Sequence, residues 1–253
     1  MSTNPQPRVA LVTGGASGIG LAIAQRLAAD GNEVAIADLS IDAAEQAASD
    51  IGGSTIAVDM NVADSDAVTA GLAQVVGQLG QIEILVNCAG WDDLMPFVKS
   101  DEALWDKVIE INYKGVLRTT HGVLPNMIQN GYGRIVNIGS DAGRVGSSME
   151  AVYAGAKAGV IAFTKTIARE AARKGVTANV VCPGPTDTPM LQGVVAAAPD
   201  ADKVIAAMTS GVAMKRLGKP DEVAAAVAFF AREEAGFITG QTLSVSGGLT
   251  MAG

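Results

Sequence analysis

The sequence predicts an α/β fold: a single domain built as a doubly wound, seven-stranded parallel sheet with helices on both faces. Three observations predict it. Short β-branched runs alternate with longer Ala-rich stretches of helical pattern along the whole chain, as in successive βαβ units. Several of the short runs are apolar throughout, which suits strands covered on both faces. A glycine-rich turn joins the first run to the first helical stretch, as the first turn of a Rossmann-type sheet requires. The 253 residues hold no internal repeat, linker or low-complexity segment, so residues 1–253 read as one domain.

The strands are expected at Val9–Thr13, Glu33–Asp38, Ser54–Asp59, Ile84–Asn87, Gly133–Ile138, Thr177–Cys182 and Thr242–Val245. Helices are expected at Leu21–Asp30, Ile41–Ile51, Asp64–Leu79, Glu102–Ile128, Ala151–Lys174 and Asp221–Ala231. Gly31, Gly131 and Gly175 follow three of these, where a left-handed cap requires no Cβ. Asp187–Lys219 fits neither pattern. An excursion beyond the carboxyl end of a strand is where a substrate lid sits in such a sheet.

Composition excludes several functions. The formal charge of −8, from 18 basic and 26 acidic side chains, and an aromatic content of 4% argue against a nucleic-acid partner. No apolar run approaches the ~18 residues of a membrane span. Met1–Arg8 is polar and lacks a signal-peptide core, so a cytoplasmic protein is expected. Cys88, Cys182 and His121, the whole complement of Cys and His, cannot assemble a four-ligand zinc site, and no metal is expected. Acid–base chemistry must come from His121, Tyr, Lys or carboxylates.

Three motifs carry chemistry. Thr13-Gly14-Gly15-Ala16-Ser17-Gly18-Ile19-Gly20 follows a strand and opens a helix. Its glycines let the backbone turn tightly against a pyrophosphate, and the helix N-terminus presents free N–H groups. Asp38 ends the second strand 18 residues after Gly20. A carboxylate there accepts ribose hydroxyls and repels a 2′-phosphate, and no Lys or Arg stands at 15–17 or 39–40 to neutralise one. The cofactor expected is therefore NAD, not NADP. Tyr153 and Lys157 are four residues apart on one helix, which places them on one face. A phenol titrates near 10, at about pH 10, so it becomes a useful base only beside a cation. Ser140, 13 residues upstream at a strand end, can hydrogen-bond the reacting oxygen.

With these residues in place, the chain resembles the short-chain dehydrogenase/reductase family over essentially its full length. The family's glycine motif corresponds to Thr13–Gly20, its Asn-Asn-Ala-Gly motif to Asn87-Cys88-Ala89-Gly90, and its catalytic Asn to Asn112. Its Ser, Tyr and Lys correspond to Ser140, Tyr153 and Lys157, and its Pro-Gly segment to Pro183–Thr188. Two positions depart: Cys88 replaces the second Asn, and Asn61 stands where an Asp usually meets adenine. The resemblance implies that Gly14, Ser17, Gly18, Ile19, Asp38, Leu39, Asn61, Val62, Asn87, Ala89, Gly90, Tyr153, Lys157, Pro183, Gly184, Thr186 and Thr188 bind the dinucleotide. It implies that Tyr153 removes the hydroxyl proton of a secondary alcohol, with Lys157 lowering the phenol's pKa and holding the nicotinamide ribose. Ser140 would position the oxygen, Asn112 would anchor a relay water, and Thr188 with Thr186 would fix the carboxamide. His121 is expected to be structural, and the assembly a homotetramer.

Substrate specificity is expected from the loop Trp91–Phe97, the loop Asp141–Glu150 and the lid, with Trp91, Ala142, Arg144 and Met190 as substrate-binding residues. Met190, Leu191, Val194, Met208 and Met214 give the lid adaptable apolar bulk. Ala89–Asp92, Ser140–Ala142 with Arg144–Ser148, Glu150–Tyr153, Val181–Thr188 and Phe237–Met251 further resemble family members acting on 2-hydroxycyclohexanecarboxyl-CoA. That resemblance implies a cyclic or aryl-bearing small-molecule substrate, with a free alicyclic or aromatic alcohol as the alternative and a non-catalytic NAD sensor as another. An NADPH-linked reductase of acyl-carrier-protein substrates is disfavoured by Asp38.

Overall fold

The computed structural model describes residues 7–196 and 200–252. Met1–Gln6, residues 197–199 of the expected lid, the side chain of Val194 and Gly253 lie outside the described residues. The strands are β1 (Val9–Thr13), β2 (Glu33–Asp38), β3 (Thr55–Asp59), β4 (Ile84–Asn87), β5 (Gly133–Ile138), β6 (Val176–Pro183) and β7 (Thr242–Val245). They form one seven-stranded sheet in the order β3-β2-β1-β4-β5-β6-β7, and every adjacent pair is parallel. The order reverses between β1 and β4, which opens a crevice at the carboxyl ends of those strands.

The helices are α1 (Gly18–Ala29), α2 (Ile41–Ile51), α3 (Ser65–Leu79), α4 (Glu102–Ile109), α5 (Gly115–Asn130), α6 (Ala142–Val145), α7 (Ala151–Ala171), α8 (Pro189–Ala196), α9 (Ala201–Ser210) and α10 (Pro220–Ala231). Successive strand side chains point to opposite faces, and the core divides accordingly. Val12, Ile36 and Val86 pack with Ile23 and Leu27 of α1 and Val227 and Phe230 of α10. Leu11, Leu85 and Ile135 pack on the other face with Val75 of α3, Val123 and Met127 of α5 and Ile167 of α7. Each such side chain contributes roughly 1.5–3 kcal/mol of burial, so the crevice stands on a rigid base.

Several expected elements shift at an end, α7 among them stopping at Ala171 before a 3-10 turn, and three differences shape the site. α1 starts at Gly18 rather than Leu21, because the extended backbone of Ser17 caps it and the last glycines form its first turn. The single helix expected at Glu102–Ile128 is two helices joined by a wider π-type turn, Glu110–Lys114. There Asn112 is fully buried and donates to the Val108 carbonyl, drawing the chain inward. The expected lid contains α8 and α9, and its base is closed by bonds from Asp187 N–H to the Gly218 carbonyl and Gly218 N–H to the Pro185 carbonyl. Among the described residues no helix is long and apolar enough to cross a membrane.

Candidate active site

The glycine turn is shaped by contacts that exclude side chains. Gly14 and Gly18 have φ of +63° and +53°, which favours glycine. A Cβ on Gly14 would stand 2.8 Å from the Ala89 Cα, and one on Gly20 would fall 2.0 Å from the Gly14 carbonyl oxygen. Close approach of loop, helix and post-β4 segment therefore leaves the first turn of α1 accessible to a pyrophosphate. Ser17 is exposed and its side chain makes no capping bond, and Ile19 packs against the core below.

Asp38 lies at the end of β2 with its carboxylate held in place. Its Oδ2 accepts the Ala16 N–H at 3.0 Å and its Oδ1 accepts the Ser40 N–H at 3.1 Å. Leu39 beside it is 73% exposed, an apolar neighbour rather than a cation. Asn61 is exposed, its Oδ1 accepting the Ala63 N–H, while Val62 is buried where Gly115 approaches it. These residues fit an adenosine diphosphate: a cradle a Cβ would fill, and a fixed acceptor for ribose hydroxyls.

The post-β4 segment is anchored from both sides. Thr13 Oγ1 accepts the backbone N–H groups of Cys88 and Ala89 at 3.1 and 3.2 Å. Asn87 faces away from the crevice into a buried polar ladder. Its Nδ2 donates to Asn137 Oδ1 at 2.8 Å, its Oδ1 accepts from the Thr119 hydroxyl at 2.6 Å, and Asn137 donates to Thr164 Oγ1 at 2.8 Å. Thr119, Asn137 and Thr164 were not singled out by sequence reasoning; polar residues inside otherwise apolar strand and helix patterns were the available signal. Two of the expected catalytic residues converge on Gly90: a Cβ there would lie 3.0 Å from Asn112 Oδ1 and 3.6 Å from Lys157 Nζ.

Asn112 also donates to the Trp91 carbonyl at 2.6 Å and accepts the Trp91 N–H at 3.3 Å. Lys157 is 3% exposed and donates to the Ile138 carbonyl at the end of β5 at 2.9 Å. Burial pushes its ammonium down to about 8. Its Nζ lies 5.5 Å from the Tyr153 ring centre. Ser140 lies beside Tyr153 and opposes the rise of its phenol, and its Oγ accepts the Ala142 N–H at 3.1 Å. Tyr153 is pushed well above the ordinary tyrosine range, first by burial and then by Glu150 and Asp92, and Ser140 only partly opposes this.

The expected substrate residues separate. Trp91 remains at the site through its backbone, with Lys107 Nζ 3.5 Å above its ring. Ala142 is buried at the start of α6, and Met190 is 55% exposed on α8. Arg144 is not brought to the others: its guanidinium donates to Ser244 Oγ on β7 at 2.7 Å and to the Ala252 carbonyl. These partners tie α6 to the C-terminal segment. Thr188 Oγ1 accepts the Leu191 N–H of α8, and its Cβ lies 3.5 Å from where a Gly18 Cβ would stand. Thr186 is buried and donates to the Gly184 carbonyl; Gly184 follows Pro183, and a Cβ on it would strike Ser246. His121 is exposed on α5, away from this set. A small pocket of about 10 Å³, room for one water, touches Tyr153 and is lined by Asp92, Met95, Phe97, Leu104, Val108 and Glu150 among others, without Ser140, Lys157 or Asn112.

Fold and site together define a nicotinamide-dependent oxidoreductase of the ketone/alcohol type, and the chain belongs to the short-chain dehydrogenase/reductase family. Residues 14–250 match the family model described as enoyl-(acyl carrier protein) reductase. Among its relatives, nodulation protein G of Azospirillum brasilense is 41% identical over 248 residues, 96% of this chain and 98% of that one. Acetoacetyl-CoA reductase of Allochromatium vinosum is 40% identical, covering 96% and 99%. The 3-oxoacyl-(acyl-carrier-protein) reductase of Escherichia coli is 39% identical, covering 98% and 99%. The crystal structure of a variant actinorhodin polyketide ketoreductase with NADPH superimposes with a TM-score of 0.93 at 35% identity, covering all of both chains.

Proposed function

We propose that this chain is an NAD-dependent dehydrogenase interconverting a secondary alcohol and a ketone on a cyclic or aryl-bearing substrate, with 2-hydroxycyclohexanecarboxyl-CoA as the specific candidate. The observation that carries the reaction is the convergence of Asn112 Oδ1 and Lys157 Nζ on Gly90, with the Tyr153 ring beside Lys157 and Ser140 beside Tyr153. The cofactor preference rests on Asp38, whose two oxygens are fixed by the Ala16 and Ser40 amides beside an exposed Leu39. A 2′-phosphate would meet that carboxylate with no cation at residues 15–17 or 39–40, a like-charge contact in a partly shielded place.

The bound dinucleotide supplies the hydride acceptor and, when oxidised, a positive charge. Tyr153 takes the hydroxyl proton as the carbinol carbon is oxidised, and returns it when a ketone is reduced. Ser140 donates to the reacting oxygen. Lys157, shielded and poised near neutrality, holds the nicotinamide ribose and passes the proton onward, with Asn112 ordering the exit path. A coenzyme A thioester has precedent in the name of the Allochromatium relative; Asp92, Asp93 and Glu150 at the small pocket beside Tyr153 favour uncharged groups at the reacting end, as a free alicyclic alcohol or the acyl part of a thioester both supply.

The named relatives are reductases, and one neighbour was crystallised with NADPH, so an NADPH-linked ketoreductase is the second reading. Steady-state assays of NAD against NADP, with cyclohexanol, 2-hydroxycyclohexanecarboxylate and its CoA thioester, separate the two. The expected outcome is a kcat/KM at least about 10-fold higher with NAD, as about 1.4 kcal/mol of charge repulsion would give. Equal efficiency with NADP would remove the cofactor assignment, and an unchanged rate in Tyr153→Phe would remove the mechanism.

A further inference from the structure

Ser140 follows the end of β5 and leads into α6, a helix of only four residues, Ala142–Val145. A single turn is not stable by itself, because fixing its backbone yields too few hydrogen bonds. This one also stands between two groups of the reaction. At its start the Ala142 N–H donates to Ser140 Oγ at 3.1 Å, and the Gly143 N–H donates to the Ser140 carbonyl at 3.0 Å. On its inner side Gly143 abuts α7 so closely that a Cβ would lie 2.8 Å from the Lys157 carbonyl carbon and from the Ala158 nitrogen. Whatever holds α6 therefore sets where Ser140 stands relative to Tyr153 and Lys157.

The outer side of α6 is fastened to β7 through one hydroxyl. Ser244 Oγ donates to Asp141 Oδ1 and accepts from Arg144 Nη1 at 2.7 Å, its one proton and one lone pair joining both residues. Asp141 is 3% exposed. Its Oδ2 is shielded and has no hydrogen-bond partner among the described residues, so Ser244 is the one side chain among them that bonds this carboxylate. A buried carboxylate that loses its donor is strongly unfavourable, which resists any drift of α6 from β7. The Asp141 N–H meets the Pro183 carbonyl at 3.3 Å, a longer bond than most. The β6 side of the segment is fixed independently. The Gly139 N–H donates to the Val181 carbonyl at 2.8 Å, and a Cβ on Gly139 would fall 2.7 Å from Cys182 Sγ. Movement of Ser140 is thus confined to the side that Ser244 closes.

We propose that Ser244 is a positioning residue for the reaction: by bridging Asp141 and Arg144 it holds α6 against β7 and so fixes Ser140 where it hydrogen-bonds the reacting oxygen. The inference rests on the dehydrogenase reading above and adds to it a residue that acts through Ser140. Ser140 opposes the rise of the Tyr153 phenol, against burial, Glu150, Asp92 and Cys88. Releasing Ser140 removes that opposition, while those groups and Lys157, 5.5 Å from the ring, are unaltered. The phenol then moves further up, and alcohol oxidation, which needs the phenolate, requires a higher pH. A residue that only added stability would leave the phenol where it is.

The test follows oxidation by NAD of whichever of cyclohexanol, 2-hydroxycyclohexanecarboxylate and its CoA thioester the native protein uses best. Ser244→Ala removes both bonds and should lower Tm by about 2–12 °C. It should also lower kcat at least about 10-fold and move the rising limb of the pH–kcat profile to higher pH. The KM for NAD should stay within about 3-fold, because Asp38 and the glycine turn lie on the other half of the sheet. Ser244→Thr keeps the hydroxyl on a residue suited to a strand and should return kcat to within about 3-fold of native, with the limb restored. Val227→Ala truncates a fully buried side chain of α10 on the face of the sheet opposite α7; it should lower Tm and leave kcat and the limb unchanged. Arg144→Met removes one arm of the bridge and leaves Asp141 paired, so it should show the same changes in smaller measure even where Ser244→Ala does not fold. Native kcat and limb in Ser244→Ala or, where that variant does not fold, in Arg144→Met overturn the inference. So does failure of Ser244→Thr to recover, or the same losses in Val227→Ala, and each of these leaves the dehydrogenase reading in place. Absence of NADH formation from all three alcohols by the native protein overturns both.

Discussion

At Tyr153 the protein sets the phenol in opposition to the chemistry that oxidation requires. Burial and the charges of Glu150 and Asp92 hold it protonated, and Ser140 only partly offsets them. A protonated phenol is ready to give a proton to a ketone, which agrees with the reductase names of the relatives. Alcohol oxidation requires the phenolate, so its rate should rise with pH, and ketone reduction should fall. Replacing Glu150 by Gln removes the neighbouring charge that raises Tyr153 most. The folded-state pKa then drops, and the rising limb of kcat/KM for oxidation should move to lower pH. A pH–rate profile of native and Glu150→Gln enzyme with one alcohol measures this. An unmoved limb would mean that Glu150 does not act on the catalytic phenol.

Among the elements, the π-type turn Glu110–Lys114 does the most to build the site. Asn112 projects inward from it, donating to Trp91 and Val108 and accepting from the Trp91 N–H. π-type turns within helices frequently mark functional positions. Asn112→Ala would leave two buried carbonyls and one N–H without that side chain, costing about 1–3 kcal/mol of stability. It should also reduce oxidation more than about 10-fold through the displaced Trp91 segment; thermal melting and steady-state rates check both effects. The turn was not legible in the sequence, because Glu102–Ile128 keeps a helical pattern across it and the widening depends on contacts made only in the fold. The strands were legible nearly to the residue, since continuous apolar runs such as Val9–Thr13 and Ile84–Asn87 have few alternative uses in a chain alternating with Ala-rich helices. Asp38 and the Tyr153–Lys157 pair were legible for a similar reason, as spacing along one strand end or helix is local. The ladder from Thr119 through Asn87 and Asn137 to Thr164 joins residues 27 to 50 positions apart; local spacing carries no trace of it. Arg144 reaches from the loop after Ser140 to β7, a contact that its place in the sequence does not reveal.

Taken as one molecule, the protein combines a rigid sheet with a segment attached to it far more lightly. Strands β1, β4 and β5 are buried along their whole length, whereas no described residue of α8 or α9 is buried. Segments with few buried apolar groups open at lower free energy than the core, so α8 and α9 should open before the sheet. Thr188 at the head of α8 stands against Gly18 of the glycine turn, with ordinary van der Waals spacing to any Cβ placed there, so opening the segment should disturb that turn. Binding that requires the closed segment stabilises it by about 2.7 kcal/mol at 100 times Kd, equivalent to roughly a 100-fold smaller open population. Lys203 on α9, whose side chain is 84% exposed, offers trypsin a cleavage site within the segment. Limited trypsin digestion should therefore cut first at Lys203, and saturating NADH should slow that cut by about 10- to 100-fold when cleavage requires opening. Mass spectrometry of the first fragments, with and without NADH, measures the coupling. Equal cleavage rates would show that α8 and α9 open independently of dinucleotide binding.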